Sequence, residues 1–497
     1  MASSTEAEST MGKNDQSDHQ IALTSSKPKA RNAITKPFPV LHLDIVWMIM
    51  ELVQRSCVLR LMESCRAFYS IGVPFLLRQT IHINDDNFQS FYNFLVAPSL
   101  DPSNRPKLVR ELHFLENTSE HYPKMISRIL SGAVHLQTLN IALYKENLAE
   151  LSDALASLAN IRNVRILLED DVSPSEGLQW LKNIQSHIRI FHLFYNDDCD
   201  YKDAQYRAIP VISSLASTLT TLVIQCFQIV PEDATFVFPH VRVCRIDHGM
   251  AEFYDPPPAA TFFKMFPELD ALHLPISGFI SNQDGLVEEY ESKLQAAINL
   301  GVHQRRLKVL AGTVYELAFR GYICSVEKLV IKSRNLGWEQ EGVTRLISQT
   351  RPSILYLSIQ VDEPTPFVTL IIEKVRLLGP FKEMIISLDF THRNDPILRS
   401  LMGAIPGALR NVAAETLEIA CNIVHHDGEE CAFLRHEFNM REFVLQIIAV
   451  APKPRTITIH TGECRRVKRE TFDVPQDLVE RMRRTESSRR QYWLDQS

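Results

Sequence analysis

Two groups of residues in this 497-residue chain have types and spacings that could do chemistry. The first group is Cys421, His425, His426, Cys431 and His436. Thiolate and imidazole groups are ligands that zinc prefers, but a structural zinc site needs four of them at short paired intervals. The spacing here, C-x3-H-H-x4-C-x4-H, fits no standard zinc site. We therefore expect a polar loop followed by a helix, and no metal site.

The second group consists of arginine and histidine residues that recur within a strand-like pattern, apolar-x-x-apolar-x-apolar. Its members occupy the x positions: Arg110, Arg162, Arg165, Arg189, His192, Arg242, Arg245 and His273. Clustered arginines bind phosphate and carboxylate groups through charge-assisted hydrogen bonds. The group therefore predicts a binding face for an acidic or phosphorylated peptide. The alternative is an ordinary solvated face that nearby Asp and Glu residues neutralise.

Residue sets typical of enzymes do not accompany these groups. The sequence contains no G-x-S-x-G, no H-E-x-x-H, no protein-kinase set and no phosphate-binding glycine loop. Its 17 glycines are few for an enzyme built around tight ligand turns. We expect a protein without an active site or cofactor; an enzyme with an unfamiliar α/β site is the alternative.

The arginines and histidines belong to a repeat that must position them. The strand pattern occurs twelve times between residues 109 and 459, and most neighbouring copies are 22 to 31 residues apart. Helix-like segments, with leucine, isoleucine and alanine at helical spacing, lie between several copies. A strand, a turn and a helix at such a period resemble a divergent leucine-rich repeat, in which each unit buries its apolar side against its neighbours.

The resemblance predicts an α/β solenoid, an irregular leucine-rich-repeat horseshoe over residues 84–462, with the x positions on its concave face. Residues 275–324 interrupt the pattern, either as an inserted loop or as one unusual repeat with a strand near 307–310. A doubly wound parallel sheet also alternates strands and helices, but it needs longer continuous apolar strands and a glycine-rich ligand turn. The sequence shows neither, which favours the solenoid.

Residues 36–83 precede the repeats and predict three or four short helices that lead into a strand. The first helix, from Asp44 to Val53, has hardly a polar face. A helix that is apolar all round must be buried all round. A block of about 45 residues is too small to do this alone. Either the following domain or another protein is therefore expected to cover its second face.

The order and spacing of residues in this block resemble an F-box, the helical module that binds the Skp adaptor of cullin-RING ubiquitin ligases, and fungal members in particular. Three segments carry the resemblance: Leu41-His42-Leu43-Asp44-Ile45, Cys65-Arg66-Ala67-Phe68-Tyr69 and Pro74-Phe75-Leu76-Leu77-Arg78. His42 departs from the pattern, because the family has proline there. The resemblance implies adaptor contacts from Leu41, Leu43, Ile45, Trp47, Ile49, Met50, Leu52, Leu61 and Leu76.

Together the two resemblances imply a substrate-recognition subunit of a Skp–cullin–F-box type E3 ubiquitin ligase. The helical block would dock the Skp-type adaptor, and the repeat domain would bind a protein target. The alternative is a leucine-rich-repeat scaffold outside any ligase, whose helical block is only a cap on the solenoid.

Composition and the two ends of the chain complete the expectations. Residues 1–35 are polar and predict a disordered tail, and residues 463–497 predict a basic capping helix or tail. The net charge of −6 on a balanced background gives no argument for nucleic acid or membrane as a partner. The nine scattered cysteines and the absence of a secretory signal predict a cytoplasmic or nuclear protein with reduced thiols.

Overall fold

The computed structural model describes residues 42–96, 105–115, 118–169, 172–196, 207–227, 229–247, 258–274, 286–333, 339–361, 366–390, 395–423, 433–451, 453–463 and 466–475. The chain divides into two compact units, Met1–Gly72 and Val73–Ser497. The predicted tail over residues 1–35 and the predicted helix after Asp477 lie outside the described residues.

The first unit is helical. It contains α1 (Leu43–Leu52), α2 (Arg55–Ser64) and most of α3 (Arg66–Leu77). The sequence predicts a break at Gly72 and a new helix at Pro74, but α3 runs through both positions. A Cβ atom at residue 72 would overlap the Met62 side chain, so glycine serves here to let α2 and α3 approach closely.

In the described part of the chain, fifteen strands form one sheet whose order follows the sequence. Strands β1 to β14 are parallel to their neighbours, and β15 is antiparallel to β14. The strands are β1 (Thr80–Ile83), β2 (Glu111–Phe114), β3 (Thr138–Leu143), β4 (Asn163–Leu168), β5 (Ile190–Tyr195), β6 (Thr221–Gln225), β7 (Val243–Asp247), β8 (Ala271–Leu274), β9 (Arg306–Thr313), β10 (Ser325–Ser333), β11 (Ile354–Val361), β12 (Phe381–Phe390), β13 (Ala414–Ile423), β14 (Thr456–Glu463) and β15 (Arg466–Asp473).

Short helical segments connect most of these strands. The α-helices are α4 (Asp85–Val96), α5 (Thr118–His121), α6 (Pro123–Gly132), α7 (Leu148–Ala156), α8 (Pro174–Gly177), α9 (Ile209–Ile212), α10 (Ala259–Met265), α11 (Leu286–Asn299), α12 (Val314–Phe319), α13 (Glu339–Thr350), α14 (Pro366–Val375), α15 (Asp395–Ala408) and α16 (Met440–Val450). Several connections hold 3-10 turns instead, among them Lys145–Asn147, Gln179–Lys182 and Pro231–Thr235.

One face of the sheet carries the core. Along β4, Val164, Ile166 and Leu168 are buried, whereas Arg165 and Leu167 between them are exposed and half-buried. The same alternation recurs in β5 and β11. A doubly wound sheet would be covered on both faces, so the alternation supports an α/β solenoid-like arrangement with one open face.

Two intervals differ from their simplest sequence interpretation. The interval 275–324 contributes β9, which pairs with both β8 and β10, so it supplies a repeat of the sheet with its strand near the predicted 307–310. The start of the predicted basic tail, ahead of the helix expected from Asp477, forms the strand β15. The charged side chains of Lys468 and Arg469 are exposed on this edge strand, and such charges oppose pairing with further strands.

Within the described segments, none of the helices has the length and apolar character needed to cross a membrane.

Candidate binding surfaces

The register of the parallel strands brings one side chain from each of the first eight strands into a row on the open face. We call this set the basic row: His82, His113, Asn140, Arg165, His192, Val223, Arg245 and His273. Neighbouring strands in a sheet lie about 4.8 Å apart, so adjacent members of the row are in contact range. The rings of His82 and His113, for example, are 4.9 Å apart and edge-to-face.

Arg165 and Arg245 are the two arginines of the row, and both are exposed. The guanidinium of Arg165 lies 4.4 Å from the ring centroid of Phe194, which comes from the next strand. This cation–π contact holds the Arg165 side chain against the sheet and leaves its N–H groups available. Arg245 has an acidic neighbour, with a nitrogen 4.0 Å from a carboxylate oxygen of Asp247.

Burial and neighbouring charges decide the protonation of the histidines in the row. Burial lowers the pKa of His113, His192 and His273 from its ordinary value. The positive charges of Arg165 and Arg245 lower the pKa of His192 further. The charge of Arg245 also lowers the pKa of His273. These three imidazoles are therefore neutral at neutral pH, and the fixed charges of the row are the two guanidinium groups.

The structure places the eight predicted binding residues at two kinds of position. Arg165, His192, Arg245 and His273 lie in the basic row, as expected of one shared face. The other four, Arg110, Arg162, Arg189 and Arg242, each lie one residue before the first residue of a strand. Each of these four contributes its main-chain carbonyl oxygen, which accepts two successive N–H groups of the next repeat.

The two positions differ because each strand begins later than the sequence pattern does. In the first half of the chain, the first apolar residue of each pattern copy is buried but precedes the strand, as with Val109 and Ile161. The true strands start two residues later. His82 and Phe194 also lie on the open face and are not among the predicted binding residues; the alternation of Thr80-Ile-His-Ile83 indicates His82.

A second polar cluster lies on the open face of β11 to β13. Ser358 donates to Asp389 (2.8 Å), and Ser387 donates to the same carboxylate (3.2 Å). The Asn422 amide donates to Asp389 (2.8 Å) and to the Ser387 hydroxyl (3.0 Å). Both oxygens of the Asp389 carboxylate thus accept from protein side chains, so the cluster ties three strands together.

The Cys/His group is only partly described. His425, His426 and Cys431 lie outside the described residues, and the side chain of His436 does as well. Cys421 is buried in β13, with its Sγ 3.4 Å from Sδ of Met402. Burial raises the pKa of the Cys421 thiol to about 12, which opposes the thiolate that a metal site requires. Among the side chains that the structure describes, no three His, Cys, Asp or Glu residues are grouped as metal ligands.

The first unit presents an apolar surface on α1. We call Ile45, Met48, Ile49 and Leu52 the α1 apolar face, since they recur at i, i+3, i+4 and i+7 and are all exposed. Leu52 has the largest exposed fraction, 85%. The opposite side of the helix, with Val46 and Met50, is buried.

The predicted adaptor contacts therefore divide by their exposure. Ile45, Ile49 and Leu52 are exposed, in agreement with a contact role. Met50 is fully buried, which contradicts its assignment to the adaptor surface; it lies on the structural side of the helix. Trp47 is half-buried, and its indole N–H donates to Glu51 at 2.7 Å. Two residues, Leu61 and Leu76, are half-buried, and the side chains of Leu41 and Leu43 lie outside the described residues.

Comparison with protein-family models and with curated proteins finds no match to this chain. The basic row and the α1 apolar face are therefore the features from which its function is inferred.

Proposed function

We propose that this protein is a substrate-recognition subunit of a Skp–cullin–F-box type E3 ubiquitin ligase. In this proposal α1 to α3 dock a Skp-type adaptor, and the solenoid, a divergent leucine-rich-repeat horseshoe, binds the protein target. The observation that carries the proposal is the α1 apolar face, an exposed stripe of four large apolar side chains on a helix whose other side is already buried. Clustered exposed apolar side chains of this kind mark sites of protein interaction.

The energetics support a protein partner for the α1 apolar face. Removing a leucine or isoleucine side chain from water contributes about 1.5–3 kcal/mol. Four such side chains within ten residues can supply the apolar centre of an interface. Leu59 and Tyr69 of the same unit are also exposed, by 46% and 40%, and add to its apolar surface. His42, at the position of the family proline, lies 3.1 Å from Asp44 in an exposed pair at the start of the helix.

The basic row supports the second half of the proposal. Its two guanidinium groups lie on an otherwise low-charge strip and suit the carboxylate or phosphate groups of a target. The protein itself would perform no covalent step. It would raise the effective concentration of a target lysine near the conjugating enzyme that the cullin-RING ligase recruits.

Co-expression with a Skp-type adaptor tests the proposal. We expect a stable complex for the wild-type chain and its loss for the double variant Ile49→Asp, Leu52→Asp, because two charges would be buried without partners in the interface. The control is Leu377→Asp, which changes another exposed leucine (71% exposed) in the second unit and should leave the complex intact. Absence of a wild-type complex, or equal recovery of the double variant, would contradict the proposal.

The buried side of the helical unit favours a second candidate, a non-ligase leucine-rich-repeat scaffold with a helical cap. Val46, Met50, Val58 and Met62 are all buried, as the residues of a cap would be. A cap requires no adaptor, so this candidate predicts that the wild-type protein does not retain a Skp-type adaptor.

A further inference from the structure

We infer that Arg165 and Arg245 form two anchors for one extended acidic peptide whose anionic side chains are four residues apart and which crosses β4 to β7. This inference rests on the proposed target-binding role of the open face. It adds the spacing of the anionic side chains in the target peptide and the direction in which the peptide crosses the sheet. It requires that the peptide run across the strands, because the two arginines come from different strands at the same register level.

The distance between the two anchors sets the spacing. Three steps between neighbouring strands separate β4 from β7, and at about 4.8 Å a step the two positions are about 14 Å apart. An extended peptide advances about 3.3 Å per residue and places side chains i and i+4 on one side, about 13 Å apart. Anions two residues apart would span only about 7 Å, and anions six apart about 20 Å.

The surface between the anchors fits the middle of such a peptide. His192 and Val223 occupy the same row in β5 and β6. Both are half-buried, so the intervening residues would cross a strip without fixed charge. The contact with the Phe194 ring restrains the Arg165 side chain, whose planar guanidinium can donate two hydrogen bonds to a phosphate or carboxylate.

The same spacing argues against a nucleic acid on this strip. A single strand carries a negative charge about every 3.4 Å, so it is matched by closely spaced cations. Here the positions of Arg165 and Arg245 in the sheet are three strand steps, or about 14 Å, apart. Two separated anions, as in a doubly acidic or doubly phosphorylated peptide, match this arrangement better.

Fluorescence anisotropy with labelled synthetic peptides tests the inference on the full chain. The probes are eleven-residue peptides whose only charged side chains are two phosphoserines at spacings of two, four or six residues, and one such peptide with a single phosphoserine. We expect the spacing of four to bind most tightly, about tenfold more tightly than the singly phosphorylated peptide, since the second charge-assisted pair adds at least this factor.

Matched arginine variants assign the binding to the row. Arg165→Ala and Arg245→Ala should each lower the affinity for the spacing-of-four peptide about tenfold, to that of the singly phosphorylated peptide. The controls are Arg162→Ala and Arg242→Ala, which remove the same charge three residues earlier in the same repeats and should change the affinity less than about twofold.

Several results would overturn the inference. They are equal affinity at all spacings, no measurable binding at a spacing of four, equal losses in the control variants, and tighter binding of an oligothymidylate of matched charge. Co-expression with the adaptor tests the proposed function separately from the peptide-binding experiment. A chain that binds the adaptor without a spacing preference retains the ligase proposal, whereas a spacing preference without adaptor binding retains the peptide site alone.

Discussion

Met50 and Leu52 lie two residues apart in α1, yet their exposed fractions are 0% and 85%. Truncation of Met50 to alanine removes buried atoms and leaves a cavity, which costs about 2–5 kcal/mol. Truncation of Leu52 removes mainly solvated atoms and should change the free energy of unfolding by less than about 0.5 kcal/mol. We therefore expect Met50→Ala to destabilise the helical unit by at least about 1.5 kcal/mol more than Leu52→Ala does.

The order should reverse for adaptor binding. Burial of a leucine side chain contributes about 1.5–3 kcal/mol, and nearly all of the Leu52 side chain is available for burial at an interface. Leu52→Ala should therefore raise the Kd for a Skp-type adaptor about 10- to 100-fold. Met50→Ala removes no exposed atoms, so its Kd per folded molecule should stay within about threefold of the wild-type value.

Two measurements test the stability and binding predictions for Met50→Ala and Leu52→Ala. Hydrogen exchange of the α1 amides gives the local stability of the helix without requiring the whole chain to unfold in one step. Titration calorimetry with the purified adaptor gives the Kd. If Leu52→Ala lost as much amide protection as Met50→Ala and kept full adaptor affinity, the assignment of the α1 apolar face to a partner would be wrong.

Three further predictions concern stability. Gly72→Ala should lower the free energy of unfolding by about 1–3 kcal/mol, because the new Cβ overlaps Met62. Gly403→Ala in α15 places its Cβ more than 4 Å from any atom outside its own helix, so it should raise the free energy of unfolding by about 0.5–1 kcal/mol. Similar shifts of the two variants in thermal melts would refute the packing argument. Folding lowers the pKa of His192, so just below pH 6.5 the unfolded chain binds more protons than the folded chain, and stability falls on acidification. His192→Gln should therefore flatten the dependence of Tm on pH between about 7.5 and 5.5. An unchanged slope would contradict this role of His192. Asn147 is buried, and its side-chain amide donates to a main-chain carbonyl of the preceding repeat at 3.0 Å. Asn147→Ala should therefore lower the free energy of unfolding, measured in urea, by about 1–3 kcal/mol. A decrease below about 0.5 kcal/mol would contradict this structural role.

Local sequence patterns predict much of the solenoid-like sheet. The recurring apolar-x-x-apolar-x-apolar segments specify where buried side chains must fall, and residues such as Leu112, Leu139 and Val164 are buried in neighbouring strands of the sheet. A repeated pattern can be recognised from sequence because each unit buries its apolar side against the next in the same way. The repeat within 275–324 is ambiguous in sequence because Arg305 and Arg306, at the start of β9, are polar and follow a long helix.

The candidate sites depended on details that local patterns do not contain. Arg162 and Arg165 have the same charge and lie in the same repeat, but only Arg165 falls on a strand and joins the basic row. The difference arises where the chain enters the sheet, and main-chain hydrogen bonds between repeats fix that point. The contact between Arg165 and Phe194 likewise joins residues 29 positions apart.

The local sequence specifies that strands and helices alternate, that an apolar helical block precedes the repeats, and that arginine and histidine recur in the first half of the chain. These follow from composition and periodicity, which act within a few residues. Which side of α1 is buried, and which basic residues share a row, depends on how distant segments of the chain pack together. Burial depends on what other segments cover a side chain, and a row across a sheet depends on strand register. Both are set by contacts between residues far apart in the chain.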